Sequence, residues 1–334
     1  MAPADVLTDM ARELCRKWPD APARTLARRL AKASNGALTI DQARARIARQ
    51  FGLWGKQARK KIKSAAPRQP RAAGQVYEMP ASIAEPWTPH RMDLVGTVGI
   101  LSDVHVPYHS ELAVTAAVNY LRQHELAGLV LNGDVCDFYA ISRYLKDPTQ
   151  RDFKGELEAV RQFLGWIRQQ FPTIPIVLKA GNHEERWKHW LWQHAPEIAD
   201  EPVMSLTGWL RLGEHDITLV EDQRPIMVGK LPVFHGHELP RGFAAPVNAA
   251  RGLWLRLKSS GLAGHHHRTS NHTESDWKRR ETAAWSTGCL CDLTPEYSRV
   301  NGWNWGFATV TVHAGGDFDV ENLRITSDGT VRTA

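Results

Sequence analysis

Five short clusters of carboxylate, amide and imidazole residues each follow an apolar stretch in this 334-residue chain. They are Asp103-Val-His105, Gly133-Asp134-Val-Cys-Asp137, Gly181-Asn182-His183-Glu184, His235-Gly-His237 and Gly264-His265-His266-His267. Mixed oxygen and imidazole donors suit Mn²⁺, Fe, Zn²⁺ or Ni²⁺ better than an all-oxygen Ca²⁺ site. Histidine clusters can also be solvated loop residues, and this chain has 15 histidines. The interpretation therefore depends on whether the five clusters meet.

The stretches that precede the clusters are predicted to be β-strands that alternate with helices, as in an α/β fold. Residues 110–126 and 153–170 are predicted helices, and the C-terminal part is predicted to form antiparallel strands. Because sites in α/β folds lie at the carboxyl ends of strands, the clusters are expected to converge. In extended backbone, residues i and i+2 point the same way, which would aim Asp103 with His105, and His265 with His267. Together the clusters offer enough donors for two metal ions, with Asp134 shared between them.

The clusters, taken in order, resemble the calcineurin-like metallophosphoesterase superfamily. Its pattern is D-x-H, G-D-x-x-D, G-N-H-E/D, a lone H often within H-G-H, and G-H-x-H, and the resemblance covers roughly residues 95–326. Any one block has low specificity, whereas the ordered set is highly specific. The resemblance implies a two-sheet α/β sandwich flanked by helices. It also implies two divalent metal ions, Mn²⁺ in the first place, with Fe, Zn²⁺ or Ni²⁺ as alternatives.

The resemblance further implies a role for each matched residue. The ligands would be Asp103, His105 and His267 for the first ion, Asn182, His235 and His265 for the second, and Asp134 for both. His183 matches the general acid that protonates the leaving oxygen, and Asp137 matches the carboxylate that orients it. A hydroxide held between the two metals would attack phosphorus in line.

Several residues beside these blocks are candidates for substrate contact. They are His109, Arg143, Arg186, His237 and His266. The alternative for each of them is an ordinary structural or solvent-facing position. Glu184 is expected to brace its loop rather than to take part in the chemistry.

The sequence is less decisive about the substrate. In the Ser/Thr protein phosphatases of this superfamily, G-D-x-x-D continues as R-G, but here Phe138 and Tyr139 follow Asp137. This departure argues against protein phosphatase activity. Tryptophans stand at positions 187, 190, 192, 209, 303 and 305. They are candidates for stacking on the bases of single-stranded nucleic acid, and the alternative is that they are simply buried.

The N-terminal segment is predicted to be a small, basic, all-helical domain over residues 1–58. Residues 1–75 hold 17 Lys/Arg against five Asp/Glu, a formal charge of +12, whereas the remainder holds 25 against 31, a charge of −6. Apolar residues recur at helical spacing in three segments, and residues 39–42 fit a capping box. The third helix carries Arg44, Arg46 and Arg49. The segment resembles a helix-turn-helix DNA-binding unit; the alternative is a packing or dimerisation domain.

Residues 59–93, rich in alanine, proline and basic residues, are predicted to be an extended linker, and residues 94–334 to be the metallophosphoesterase domain. No secretory signal or membrane-spanning run is recognised. The four cysteines, Cys15, Cys136, Cys289 and Cys291, are too scattered for a disulfide framework, so reduced thiols and a cytoplasmic location are expected. Cys289 and Cys291 could in principle bind metal, although no second cysteine pair accompanies them. The oligomeric state is left open.

Three functions remain open from the sequence. The leading prediction is a two-metal phosphodiesterase acting as a nuclease on DNA or RNA, because a tethered polyanion-binding unit would concentrate the enzyme on nucleic acid. The first alternative is a phosphodiesterase or phosphomonoesterase of small molecules such as nucleotides or cyclic nucleotides. The second is a non-catalytic nucleic-acid-binding protein whose metals are only structural. The layout of the chain also resembles that of phosphoesterases encoded by phages and prophages.

Overall fold

The computed structural model describes residues 4–51, 79–145, 147, 149, 152–240 and 247–334. The chain divides into two compact units, Met1–Ala84 and Glu85–Ala334, and each has its own hydrophobic core. Of the predicted linker, residues 59–78 lie outside the described residues, and residues 79–89 have no regular secondary structure. The prediction of a linker as far as residue 93 is wrong at its end. Residues 90–92 form a strand, because Met92 packs into the core between two sheets.

Three helices form the described part of the N-terminal unit, namely α1 (Ala4–Lys17), α2 (Ala23–Ala33) and α3 (Ile40–Phe51). Their apolar stripes meet in one core that includes Leu7, Leu26, Leu30, Ala43 and Ile47. The predicted capping box is confirmed at the start of α3. The Thr39 backbone N–H donates to Gln42 Oε1 at 3.0 Å, and the Gln42 N–H donates to Thr39 Oγ1 at 3.2 Å.

The three arginines predicted to face nucleic acid differ in their surroundings. Arg44 and Arg49 are exposed on α3. Arg46 is half-buried and donates to Thr8 Oγ1 of α1 at 3.2 Å, so it stabilises the packing of α3 on α1. The structure therefore leaves Arg44 and Arg49 as the solvent-facing pair on this helix.

Two β-sheets form the framework of the larger unit. The strands are β1 (His90–Met92), β2 (Gly96–Leu101), β3 (Leu126–Asn132), β4 (Ile176–Lys179), β5 (Ile217–Val220), β6 (Ile226–Val228), β7 (Leu231–Phe234), β8 (Gly261–Ala263), β9 (Ser270–Ser275), β10 (Glu281–Ser286), β11 (Gly306–Val312), β12 (Phe318–Ile325) and β13 (Val331–Thr333). One sheet has the order β13-β12-β11-β2-β3-β4-β5 and the other β1-β6-β7-β8-β10-β9. Strands β2 to β5 run parallel to one another, and β7 runs parallel to β8.

Alternating side chains of the central strands pack in two directions. On β2, Val98 and Ile100 lie in the core between the sheets, whereas Leu101 packs against the helical layer. The helices are α4 (Glu111–Arg122), α5 (Phe153–Gln170), α6 (Glu185–His194), α7 (Leu206–Leu210) and α8 (Ala249–Leu257). This architecture confirms the predicted fold class, a two-sheet α/β sandwich flanked by helices, with a small helical unit before it.

Element by element, the prediction agrees best for the long periodic segments. Helix α5 has the predicted bounds, whereas α4 stops at Arg122 rather than at residue 126, because Leu126 begins β3. In the C-terminal part, β11 and β12 are antiparallel as predicted, whereas β10 is antiparallel to β9 but parallel to β8. None of the helices in the described part of the chain combines the length and apolar character that crossing a membrane requires.

Candidate metal centre

The topology explains why the five clusters meet. Strands β2, β3 and β4 are neighbours in one sheet, and β7 and β8 are neighbours in the other. Each of the five strands ends one or two residues before its cluster. Since strands that run parallel have their carboxyl ends at the same edge, three clusters leave one sheet together and two leave the other.

The first group of donor atoms forms around His267. Its Nε2 lies 3.1 Å from Asp103 Oδ1 and 3.3 Å from His105 Nε2. The carboxylate of Asp134 is next to this group, with Oδ2 3.8 Å from His105 Nε2. All of these side chains are buried. The structure thus brings together the three residues predicted for the first metal ion.

The second group forms around His235, whose Nε2 lies 3.2 Å from Asp134 Oδ2 and 3.3 Å from Asn182 Oδ1. His265 offers a ring nitrogen to the same group, and its ligand atom lies within 4.8 Å of those of Asp134 and His235. The residues predicted for the second ion therefore also meet. Asp134 contacts both groups, which is the position that a shared carboxylate requires.

The backbone at these ligands is not the extended chain that the sequence analysis assumed. Asp103, His105, Asp134, His265 and His267 all have positive φ, between 51° and 67°. Aspartate and histidine are among the non-glycine residues that adopt this left-handed region most readily. The expectation that i and i+2 side chains converge because the backbone is extended is therefore wrong. They converge because each strand has ended and the chain turns sharply beneath its ligands.

Two glycines permit a close approach of backbone to ligand. Gly133 has φ of 83°, and a Cβ atom there would lie 2.5 Å from His235 Nδ1. A Cβ atom on Gly181 would collide with the carboxylate and the backbone nitrogen of Asp134. A side chain at Gly133 would displace His235 of the other sheet, and one at Gly181 would displace the Asp134 carboxylate within the same sheet.

Buried acidic residues hold the loops that carry the ligands. Glu184 accepts hydrogen bonds from the backbone N–H groups of Asp134, Cys136 and Gly181, each at 2.8 Å. It therefore braces the loop, as the sequence analysis expected. Glu238 does the same for the next cluster, accepting from the N–H of His235 at 3.0 Å and forming an ion pair with buried Lys179 at 3.2 Å.

The charges of the site fit divalent cations. Burial alone would raise the pKa of Asp103 and Asp134, but neighbouring imidazoles outweigh it and lower both pKa values below their usual range. Burial would lower the pKa of His235, yet Asp134 and Asp103 raise it to about 10. Burial would also lower the pKa of His267, yet Asp103 raises it to about 10. The two carboxylates therefore favour the protonated form of both imidazoles in the metal-free protein. A cation that replaces these protons finds imidazole and carboxylate donors already facing one another, and its binding releases protons.

His183 has a defined tautomer in this structure. Its Nδ1 lies 2.8 Å from the backbone carbonyl of Asp137, which can only accept, so Nδ1 carries the proton. Its Nε2 lies 2.8 Å from the Arg186 guanidinium, which can only donate, so Nε2 accepts. The Asp137 carboxylate, expected to orient His183, instead binds His105 Nδ1 at 2.9 Å and lies 3.3 Å from His183 Nδ1. Asp137 therefore orients His183 mainly through its main chain.

The candidate substrate residues are divided by the structure. Arg143, Arg186, His237 and His266 line one cavity with Asn182 and His265. His266 Nε2 is buried and has no hydrogen-bond partner among the described residues. His109 instead forms a β-bridge with Cys291 and lies 6.1 Å from the Phe163 ring, so it packs towards the core.

The tryptophans after His183 mostly pack with one another. Trp187 is buried, stacks on Trp190 at 5.7 Å and donates from Nε1 to the Met204 carbonyl. The buried alternative is therefore correct for Trp187. Trp190 also lines the cavity beside Arg186, and Trp303 contacts the His267 ring with a centroid distance of 4.2 Å.

Cys291 lies in the site, although it was not among the predicted metal ligands. Its Sγ lies 3.8 Å from His267 Nδ1, and it forms a possible metal-ligand group with His105 and His267. His267 Nε2 faces Asp103 and His105, so sulfur is the partner of the second ring nitrogen. The C-x-C spacing of Cys289 and Cys291 was visible in the sequence. The contact of Cys291 with His267, however, depends on the pairing of β8 with β10.

Replacement of Cys291 by serine is expected to weaken divalent metal binding by about 10–100-fold, the usual cost of losing the partner that orients a histidine ligand. A serine oxygen is smaller than sulfur and on a shorter bond, so its contact with His267 Nδ1 would be longer and weaker. Competition titration with a chromophoric chelator measures the affinity, with Cys15→Ser in the helical unit as control. Equal affinities for wild type and Cys291→Ser would contradict the assigned contact.

Glu156 lies near the site without contacting the donors. Its buried carboxylate accepts from the backbone N–H groups of Tyr139 at 2.8 Å and Ala140 at 3.4 Å. Burial, assisted by the charge of Asp137, raises the pKa of Glu156 to about 7. The folded protein therefore favours the protonated form more than the unfolded chain does.

Stability is expected to fall with rising pH because of Glu156. A raised folded-state pKa contributes stability that is complete below the ordinary value of 4.5 and is lost as pH rises to about 7. Relative to Glu156→Gln, wild type should lose about 1–3 kcal/mol of unfolding free energy between pH 5 and pH 8. Urea unfolding of the metal-free proteins measures this, with exposed Glu158→Gln as the control. Parallel pH profiles for wild type and Glu156→Gln would show that Glu156 does not titrate in this range.

A phage protein and several solved structures are similar to this chain, whereas no protein-family model matches it. The chain is 25% identical over 229 residues to the Gene 54 protein of Mycobacterium phage L5. The matched region covers 64% of this chain and 88% of that protein. Among solved structures it is similar to Vacuolar Protein Sorting 29 from Cryptosporidium parvum (TM-score 0.39, 12% identity, 72% of this chain and 97% of that one). It is also similar to a single mutant of Vps29 from Entamoeba histolytica (TM-score 0.37, 13% identity, 71% and 97%).

Proposed function

We propose that this protein is a phosphodiesterase that uses two divalent cations and cleaves nucleic acid. The observation that carries the proposal is the meeting of the donor side chains from five strand ends, with His183 and Arg186 beside them. Asp103, His105 and His267 would hold one ion, Asn182, His235 and His265 the other, and Asp134 both. When bound, the cations would offset the charge of the phosphodiester and lower the pKa of water.

His183 and Arg186 supply the remaining chemistry. Hydrolysis joins a water oxygen to phosphorus, breaks one bond from phosphorus to an ester oxygen and places a proton on that oxygen. A phosphate oxygen would draw the Arg186 guanidinium away from His183 Nε2, which then takes up a proton from solvent and passes it to the departing oxygen, while the attacking water releases one proton to solvent. The Asp137 carbonyl keeps Nδ1 in place throughout. General acid catalysis of this kind contributes about 10²–10⁴-fold.

Two features support a nucleic acid as the substrate. The cavity over Asn182 and His265 has a volume of about 1120 Å³ and contains four arginines against one glutamate, so it is larger than most sites for small molecules. Residues 1–75 add a formal charge of +12, with Arg44 and Arg49 exposed on α3. Both features favour a long anionic ligand over a single small ester.

Incubation of labelled single-stranded DNA, duplex DNA and RNA with Mn²⁺ tests the proposal. Wild type should shorten at least one polymer, and the Asp134→Asn variant should leave all three intact. Hydrolysis of methyl p-nitrophenyl phosphate without cleavage of any polymer would instead favour a small-molecule phosphodiesterase. No metal-dependent hydrolysis of any of these substrates would contradict the enzymatic proposal.

A further inference from the structure

The donor groups open to solvent through two cavities of different character. The first, here called the arginine cavity, is lined in part by Asn182 and His265 and has a volume of about 1120 Å³. The second, here called the tyrosine cavity, is lined in part by His105 and Asp137 and has a volume of about 500 Å³. One cavity therefore reaches the group around His235 and the other reaches the group around His267.

The two cavities carry opposite charge. The described lining of the arginine cavity contains Arg143, Arg186, Arg256 and Arg268 with only Glu185 as an acid. Glu185 is in turn 3.1 Å from His237 Nε2. This lining attracts phosphate groups, and the guanidinium fork suits their oxygens.

The tyrosine cavity is lined by acids and phenol rings. Asp137, Asp292 and Glu296 face it against one arginine, Arg299. Its aromatic residues are Tyr108, Tyr139 and Tyr297. The rings of Tyr108 and Tyr139 are edge to face at 6.2 Å, and the Tyr139 hydroxyl accepts from the Asp147 N–H at 2.8 Å. The ring of Tyr139 is thus held in place, whereas Tyr297 is 68% exposed and can cover an aromatic ligand.

We propose that the tyrosine cavity binds an unphosphorylated nucleoside, and that the arginine cavity binds the phosphate-bearing side of the same phosphodiester. The proposal rests on the proposed function. A phosphodiester placed over both donor groups has one ester substituent directed towards each cavity. A second phosphate in the tyrosine cavity would meet Asp292 and Glu296, whereas an uncharged base would stack on tyrosine and donate its amino hydrogens to these carboxylates.

The preferred substrate is therefore a phosphodiester at the end of a chain, where one nucleoside carries no further phosphate. The geometry selects an end without selecting the 5′ or the 3′ end. Stacking on an aromatic side chain contributes about 1–3 kcal/mol per base. Removal of one such stacking partner corresponds to a reduction of about 5–150-fold in kcat/KM.

Four adenine dinucleotides test the proposal on the full-length, Mn²⁺-loaded protein. They carry a terminal phosphate on the 5′ side, on the 3′ side, on both or on neither. One singly phosphorylated form should have the highest kcat/KM, at least about tenfold above its isomer, and its identity gives the polarity. The doubly phosphorylated form should be as poor as the worse isomer. A doubly phosphorylated form that equals or exceeds the best would overturn the proposal, and so would equal rates for all four.

Tyr297 variants test the contact itself. The ratio of kcat/KM for the best dinucleotide to that for methyl p-nitrophenyl phosphate should fall about 5–150-fold in Tyr297→Ala. Tyr297→Phe retains the aromatic ring, so its ratio should stay close to that of wild type. Trp277→Ala, at an aromatic that is 87% exposed outside both cavities, is the control and should leave the ratio unchanged. The same ratio in Tyr297→Ala and wild type would contradict the stacking.

A binding measurement separates failure of this proposal from failure of the proposed function. Equilibrium dialysis with labelled adenosine needs no turnover. Wild type should bind adenosine more tightly than Tyr297→Ala does. With excess tripolyphosphate present to occupy the arginine cavity, wild type should also bind adenosine more tightly than adenosine 3′,5′-bisphosphate. If the protein shows this binding pattern but hydrolyses no phosphodiester, the nucleoside site is supported and the proposed enzymatic function is contradicted. Equal binding of adenosine by both proteins overturns the site.

Discussion

Asp134→Asn is expected to reduce metal-dependent phosphodiester hydrolysis by at least about 10³-fold, since several kcal/mol of charge stabilisation are lost. Asp134 Oδ2 is 3.2 Å from His235 Nε2 and 3.8 Å from His105 Nε2. Asp103, the other carboxylate of the site, is farther from the second group, at 4.0 Å from His235 Nε2. Asparagine has the same shape but lacks the negative charge, so the change tests the charge rather than the packing.

The same variant should change binding before it changes the fold. In the wild type, Asp134 Oδ1 accepts a hydrogen bond from the His183 N–H at 2.9 Å, and an asparagine oxygen can still accept that bond. We therefore expect a folded protein with weaker affinity for Mn²⁺ and fewer protons released on binding. Isothermal titration calorimetry in two buffers of different ionisation enthalpy measures both quantities.

Asp317→Asn is the matched control, because Asp317 is exposed and its carboxylate forms an ion pair with the exposed Lys230. It should bind Mn²⁺ and hydrolyse substrate as wild type does. If Asp134→Asn keeps hydrolysis within about tenfold of wild type, Asp134 is not shared between two catalytic ions. If it loses activity but keeps both ions at full affinity, its role lies in the reaction and not in holding the metals.

The position of the ligands in the chain was readable because strand ends are marked by simple signals. An apolar run followed by Asp103, or by Asp134 after Gly133, places the polar residue just beyond a strand. The parallel order of β2, β3 and β4 then brings these ends together. The local geometry could not be read in the same way, because left-handed φ at a histidine is decided by what surrounds the turn.

Contacts between distant segments were the least predictable part of the site. Cys291 reaches His267 across 24 positions, and Glu156 reaches the N–H of Tyr139 across 17. Neither pairing leaves a periodic or local pattern in the sequence. The tyrosine cavity likewise needs a loop around residue 296 to face the loop after β2. Side-chain chemistry indicated the reaction class, whereas these partners depend on the packing of the whole sandwich.

Removal of residues 1–75 is expected to weaken nucleic-acid binding strongly while leaving hydrolysis of methyl p-nitrophenyl phosphate unchanged. The deleted segment carries a formal charge of +12 and the remaining chain −6. Phosphate contacts dominate affinity for nucleic acid, and each contributes about 0.9 to the slope of log affinity against log salt. Without this segment, binding at low salt should fall by at least about 10²-fold, and the slope should approach that of the arginine cavity alone.

A charge reversal in the full chain separates this effect from truncation. Arg44→Glu with Arg49→Glu changes the two exposed arginines of α3, whose core residues Ala43 and Ile47 remain. The salt slope should fall by about two, since each arginine would neutralise one phosphate. Fluorescence anisotropy of a labelled oligonucleotide across a salt series measures it.

Arg324→Glu with Arg332→Glu alters the same number of charges on β12 and β13 and is the matched control. If both double variants weaken binding equally, attraction to the N-terminal helices is only a matter of total charge. If the α3 variant alone flattens the salt dependence, Arg44 and Arg49 contact phosphates directly. Unchanged affinity in the α3 variant and in the truncated chain would leave the helices as a packing or dimerisation unit, and the arginine cavity would then have to hold the polymer by itself.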